Sequence, residues 1–255
     1  MFYVIQSGEF FRERNYTKIF DALTRLGLEF EVVDLDKELK FQTTRKDVFA
    51  FGSIRMVRLA AQNDWNPGSF FGGNHDYEIY SKHYGVNLLN SDSEIFKFDD
   101  SLKWFPDEIK FIRPTKDSKI FTGRVFTKIK WEDLKDEIRA RSKEISQDVL
   151  VQVSTPKKIY KEARIWVVDG KIVTSSYYKF GDYVTWEENV EPEGLEFAQK
   201  MIDLYQVAPA FVMDICLTPY RWQIVEINCI NCSGFYEGDL QKILIALEDK
   251  FSPIE

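Results

Sequence analysis

Two β-rich runs, Ala163-Arg164-Ile165-Trp166-Val167-Val168 and Ile172-Val173-Thr174-Ser175-Ser176-Tyr177, flank the dipeptide Asp169-Gly170. Asp-Gly tolerates the positive φ that a tight hairpin turn imposes on both central residues, so the runs must lie side by side as antiparallel strands. Any fold open to this chain is built around that pair. Downstream, Ala210 to Cys216 and Trp222 to Asn228 read as two further strands joined around Thr218-Pro219-Tyr220. Leu195, Ala198, Met201, Ile202 and Tyr205 mark a helix before them, and Leu240, Ile243, Leu244 and Leu247 mark one after.

The N-terminal third has another rhythm. Phe2 to Ile5 is a short strand, and Tyr16, Ile19, Phe20, Leu23 and Leu26 recur at helical spacing until Gly27. Phe30 to Leu35 and Val48 to Ser53 follow as strands, the latter running into a helix over Ile54 to Ala61. Strands alternating with helices predict a small parallel α/β domain. Turn residues then crowd 64–76, where Trp65, Asn74 and His75 are candidates to face an acceptor, and Tyr77 to Tyr84 forms a short helix. In the middle, Ile109 to Arg113 is a strand ending at Pro114, and Ile120 to Phe126 is another. A helix carrying Trp131, Leu134, Ile138 and Ile145 and the strand Val149 to Val153 complete this stretch. The expected boundary falls near Phe98, giving an N-terminal α/β domain over 1–98 and a second region over 99–255.

With 255 residues, 44% of them hydrophobic, the chain can bury one large or two small cores. A formal charge of −7 and a pI near 5.1 supply no broad basic field, so nucleic acid is not suggested as a partner. The opening Met1-Phe2-Tyr3-Val4-Ile5 turns polar at Gln6-Ser7, with no membrane-spanning run, and the expected location is cytoplasmic.

The chemistry concentrates in the last two strands. Period-2 alternation puts Glu226 and Asn228 on one face of their strand and Val225 and Ile227 on the other. If the turn at Pro219 pairs the strands antiparallel, Asp214 comes opposite or diagonal to Glu226, and Asp214, Glu226 and Asn228 converge. Two carboxylates and a carboxamide suit Mg²⁺, although an isolated acidic pair is more often a solvated or salt-bridged face. Cys229 and Cys232 have Cys-x-x-Cys spacing. The next helix is expected only near Gly238, and His75 and His83 are the only histidines, so small packing residues are the better reading. Ser53 and Arg55 open a helix that could receive a substrate anion or simply carry an N-cap.

In order along the chain, Phe111-Ile112-Arg113-Pro114, Val149-Leu150-Val151-Gln152-Val153, the Glu162-Ala163-Arg164 hairpin strand, Asp214-Ile215 and Val225-Glu226-Ile227-Asn228 resemble the ATP-grasp superfamily over about residues 109–240. The closest resemblance is to a phage and bacterial clade with two conspicuous arginines and a lysine. That resemblance implies an α+β fold: a small N-terminal α/β domain, then two lobes with antiparallel sheets enclosing ATP and Mg²⁺. It implies an ATP-dependent carboxylate–amine ligase working through an acylphosphate. Its substrates would be a small-molecule or peptide carboxylate and an amine. An ATP-binding sensor or partner-binding protein on the same scaffold, or a small-molecule kinase, stays open. By the same resemblance Arg113, Lys119 and Arg164 grip phosphates, Gln152, Val153 and Glu162 attend the nucleotide, and Asp214, Glu226 and Asn228 hold metal. Asn231, Ser233 and Gly234, with Ser53 and Arg55, would approach substrate. Guanidinium forks and a lysine can neutralise a triphosphate without a glycine cradle, which this chain lacks after Pro114, where Lys116 stands ready to share the work.

Overall fold

A computed structural model describes residues 1–7, 17–35, 41–116, 120–141 and 149–252. Strand β1 (Phe2–Ser7) lies between β2 (Phe30–Asp34) and β3 (Val48–Phe51) and runs parallel to both, with Tyr3 opposite Phe30 and Phe2 opposite Val48. Successive side chains of β1 serve two cores, as strand alternation requires. Tyr3 and Ile5 join Ile19, Ala22 and Leu23 of α1 (Lys18–Leu26), whereas Val4 joins Met56, Leu59 and Ala60 of α2 (Ile54–Gln62). The small parallel α/β arrangement is present as expected. Helix α1 stops at Gly27, whose φ of 66° lets its N–H reach the carbonyls of Leu23 and Thr24. Tyr16 lies outside the described residues. Trp65 does not face an acceptor: it is buried in the second core, edge-on to Phe41 at 6.0 Å. Asn74 donates to the Val207 carbonyl, and His75 Nδ1 meets the Gly72 carbonyl.

Residues Asp76–Lys158 form one compact unit, and Met1–His75 with Ile159–Glu255 form the other. Within Asp76–Lys158, α3 (Tyr77–Tyr84) precedes β4 (Glu94–Lys97), β5 (Ile109–Pro114), β6 (Arg124–Thr127), α4 (Lys128–Arg141) and β7 (Leu150–Ser154). The strands make an antiparallel sheet in the order β4-β7-β5-β6. Trp131, Leu134 and Ile138 of α4 pack on Phe98, Ile112, Phe126, Val151 and Val153. Ile145 lies outside the described residues. Two details depart from the sequence reading. Strand β6 begins at Arg124, not Ile120, and just before it the chain at Gly123 runs so close to β5 that a Cβ there would stand 2.6 Å from that of Arg113. The short, mostly exposed β4 carries too little apolar pattern to be foreseen.

The other unit holds a second sheet: β8 (Lys161–Val168), β9 (Lys171–Phe180), β10 (Tyr183–Glu187), β11 (Ala210–Leu217) and β12 (Trp222–Asn228). Its order is β10-β9-β8-β11-β12, antiparallel throughout. Asp169 and Gly170 turn from β8 into β9 with φ of 51° and 72°, the conformation their types favour. Trp166, Val168, Ala210 and Val212 share one core with Tyr3, Ile5 and Phe51 and with Leu240, Ile243, Leu244 and Leu247 of the closing helix. That helix, α6 (Leu240–Phe251), follows α5 (Pro192–Leu204), which packs on β9 and β11. Strand β12 corrects the strict alternation expected of it. Asp214 faces Glu226 but Ile215 faces Ile224, so Val225 is passed over, and Ile224 and Ile227 are the buried residues.

Candidate functional site

Register brings the chemistry together. Ser176, Arg164, Asp214 and Glu226 stand opposite one another on β9, β8, β11 and β12, a polar row across four strands. Arg164 grips Asp214 with two parallel hydrogen bonds, Nε to Oδ1 at 2.9 Å and Nη2 to Oδ2 at 2.8 Å, and its Nη1 donates to the Gly234 carbonyl at 3.2 Å. Asn228 places one amide nitrogen between the two acids, 3.2 Å from Asp214 Oδ2 and 2.9 Å from Glu226 Oε1. The three expected metal residues therefore meet at one spot on β11 and β12. Among the described residues no group of three or more His, Cys, Asp or Glu could hold a metal. Asn228 joins the two acids as a third polar group, its amide nitrogen donating to both.

Asp214 is 1% exposed and Arg164 is 7% exposed, and neither charge meets solvent freely. Burial pushes the Asp214 carboxyl up to about 6; Arg164 pulls against the rise and Glu226 adds to it. At neutral pH the carboxylate is ionised, consistent with both its oxygens taking N–H bonds. Burial works against the Arg164 charge, but Asp214 outweighs it and holds the guanidinium firmly protonated. Two carboxylates and a carboxamide gathered at one spot are a chemistry that fits a divalent cation such as Mg²⁺.

Two aromatic rings, which the sequence reading missed, pack around Arg164. Its guanidinium lies 4.8 Å from the Tyr236 ring centre and 6.0 Å from that of Tyr178, and those rings stack on each other at 5.1 Å. Tyr236 takes a left-handed backbone with φ 46°, a costly conformation for a bulky residue. Two residues before Arg164 on the same strand, Glu162 accepts from the Tyr178 hydroxyl at 2.9 Å and from Lys179 Nζ at 2.8 Å. Burial first, then the charges of Asp214, Glu162 and Glu226, raise the Tyr178 hydroxyl well above its ordinary range, with Arg164 opposing, so it stays a donor. The one signal for Tyr178 and Lys179 was their place on the strand paired with Glu162. Tyr236 carried none.

Asp76–Lys158 holds a polar cluster of a different kind. Arg113 stands opposite Gln152 across β5 and β7, and Gln152 is 2% exposed with its Oε1 accepting from the Ser93 hydroxyl at 3.3 Å. Ser154 donates to Asn90 Oδ1 at 3.2 Å, and the Tyr77 hydroxyl to the Asn90 carbonyl at 2.9 Å. Val153 stands between Glu94 and Ile112, inside the ladder. Thr115, just beyond Pro114, buries a hydroxyl that has no hydrogen-bond partner, and Lys116 Nζ is 3.7 Å from Asp76. Lys119 lies outside the described residues.

Ser53, Asn231 and Ser233 bond to the scaffold. The Ser53 N–H and hydroxyl both donate to Gln6 Oε1 at 2.8 Å, while Ser53 Oγ accepts the Arg55 N–H as N-cap of α2. Arg55 is exposed. Asn231 is 2% exposed; its amide donates to the carbonyls of Ala50 at 2.7 Å and Gly68 at 3.2 Å, and its Oδ1 accepts from Phe70 N–H at 3.0 Å. Ser233 donates to the Ile230 carbonyl at 3.0 Å.

The fold is that of the ATP-grasp enzymes. The chain belongs to an ATP-grasp domain family, family 3 of the clade named for two arginines and a lysine, whose model matches residues 79–247. No curated protein matches it by sequence. Among solved structures it is similar to the D-cycloserine synthetase DcsG at 8% identity, with a TM-score of 0.63 over 99% of this chain and 100% of that one. It is similar to a RimK-domain ATP-grasp protein from Sphaerobacter thermophilus at 11% identity and TM-score 0.63, over 99% and 100% of the two chains. The ATP complex of the Bacillus anthracis D-alanine–D-alanine ligase aligns at 12% identity and TM-score 0.60, over 98% and 97%. Among the described residues no helix is long and apolar enough to cross a membrane.

Proposed function

We propose that the protein is an ATP-dependent ligase that joins a carboxylate to an amine through an acylphosphate. The convergence of Asp214, Glu226 and Asn228 beside a buried Arg164 supports this reading most strongly. Asp214, Glu226 and Asn228 would hold Mg²⁺, which would supply positive charge against the phosphate oxygens of ATP. Arg164 is already aimed, by its paired bonds to Asp214 and by the Tyr236 ring, so it meets charge developing in phosphoryl transfer without reorganising. Glu162 keeps Tyr178 and Lys179 beside that row. In Asp76–Lys158, Arg113 and Thr115, with Lys119, would grip phosphate, and Gln152 and Val153 would attend the base.

For the substrate, the similar structures named as D-alanine–D-alanine ligase and L-amino acid ligase, and an ATP-grasp ligase bound to a precursor peptide, favour an amino-acid or peptide carboxylate. The test is ADP release from magnesium ATP against panels of amino acids, short peptides and polyamines, with mass spectrometry of the products. Release that requires both an acid and an amine and yields an amide supports ligation. A phosphorylated product without amide would mean a kinase, and no release with any pair would mean a binding protein.

A further inference from the structure

Cys229 and Cys232 have no part in the ligase reading, and the structure gives them a setting their sequence did not show. They end a single turn of 3-10 helix over Ile230–Cys232, closed by the Cys232 N–H donating to the Cys229 carbonyl at 3.2 Å. Cys229 is the extended N-cap of that turn, and an i to i+3 turn of this kind keeps its end Cα atoms within about 7 Å, the reach of a disulfide. Neither is in a disulfide; Cys229 is buried and Cys232 is partly exposed. The third cysteine, Cys216, is buried on β11.

The pair encloses Ile230 and Asn231, and Asn231 carries the polar contacts. Besides its side-chain bonds to Ala50, Gly68 and Phe70, its carbonyl accepts the Gly52 N–H at 2.8 Å, and Cys229 Sγ donates to its Oδ1 at 3.2 Å. The turn thus clasps the end of β3 and the loop at Gly68 to the segment that leaves β12.

We propose that Cys229 and Cys232 form a redox-active dithiol, which a low-molecular-weight disulfide converts to an intra-turn disulfide that tightens the Asn231 clasp. Cys232, the accessible sulfur, attacks the small disulfide as thiolate and releases one equivalent of small thiol. Cys229 then gives up its proton and attacks the Cys232 sulfur, releasing the second equivalent. The protein loses two hydrogens and the small disulfide gains them. The new bond replaces the thiol donor of Cys229 with a covalent constraint spanning Asn231.

The full chain is treated with oxidised glutathione, alkylated under denaturing conditions and mapped by mass spectrometry. The expected product has lost two hydrogens, links Cys229 to Cys232 and leaves Cys216 alone to be alkylated. Cys229→Ser should trap glutathione on Cys232, and Cys232→Ser should stay unmodified. Three alkylated cysteines after treatment, or a lasting glutathione adduct on the unsubstituted chain, overturns the dithiol. Amide exchange at Gly52 and Phe70 should slow on the order of tenfold in the oxidised form, and unchanged exchange overturns the tightening. These readouts follow sulfur and backbone only, so they stand or fall apart from ligase activity.

Discussion

Across the five-stranded sheet, Arg164, Asp214 and Glu226 place full charges on three neighbouring strands, whereas the four-stranded sheet buries Gln152, Ser154, Asn90 and Tyr77 as neutral donors and acceptors. The neutral set stabilises and orients: each group finds a hydrogen-bond partner within its own unit. The charged set is different, because desolvating an ion pair costs about what the pairing returns.

That contrast is open to measurement. Asp214→Ala strands Arg164 in the sheet without a counter-charge and should cost about 3–5 kcal/mol in urea unfolding. A loss below about 1 kcal/mol, the range of an exposed ion pair, would mean that the pair is not buried in solution. Glu226→Ala should leave the circular dichroism spectrum intact and lower ATP turnover on the order of 10²–10³-fold. Gln152→Ala should do far less to turnover and act mainly on the KM for ATP; equal effects would erase the distinction between the sheets.

The third expectation concerns pH. Folding raises Asp214 from 3.8 to about 6, so between those values the folded protein holds a proton that the unfolded chain has released. Stability of the metal-free protein should fall as pH rises through that window and level off above about 6. Saturating magnesium should flatten the fall by displacing the proton, and thermal melts with and without the ion test both parts. The smallest effect belongs to the neutral cluster. Tyr77→Phe should cost about 1 kcal/mol in urea unfolding at every pH, because it removes one donor from the Asn90 carbonyl.

The same contrast explains what could be read from the sequence. Asp169-Gly170 determined one hairpin, and the turn at Thr218-Pro219-Tyr220 with strand alternation predicted Asp214 opposite or diagonal to Glu226, which stand opposite. Arg164 was legible as a cation on the neighbouring strand. Its bidentate hold on Asp214 was not, because register between β8 and β11, strands far apart in the chain, is set by packing rather than by a turn. Tyr236 was hidden for a related reason. It reaches Arg164 only through a left-handed backbone that its own type disfavours. The bulge at Val225 escaped because alternation is a rule for regular strands, and no glycine announced the break. The 3-10 turn at Cys229 is too short to leave a periodic signal.

In the proposed ligase, Asp214, Glu226 and Asn228 would form the metal site for ATP. Manganese, a spectroscopic substitute for magnesium, reads this directly in an electron paramagnetic resonance titration with ATP. The unsubstituted chain should bind the manganese–ATP complex, and Glu226→Ala should lose that binding while keeping its fold. Undiminished manganese–ATP binding by folded Glu226→Ala would place the metal elsewhere and contradict the account.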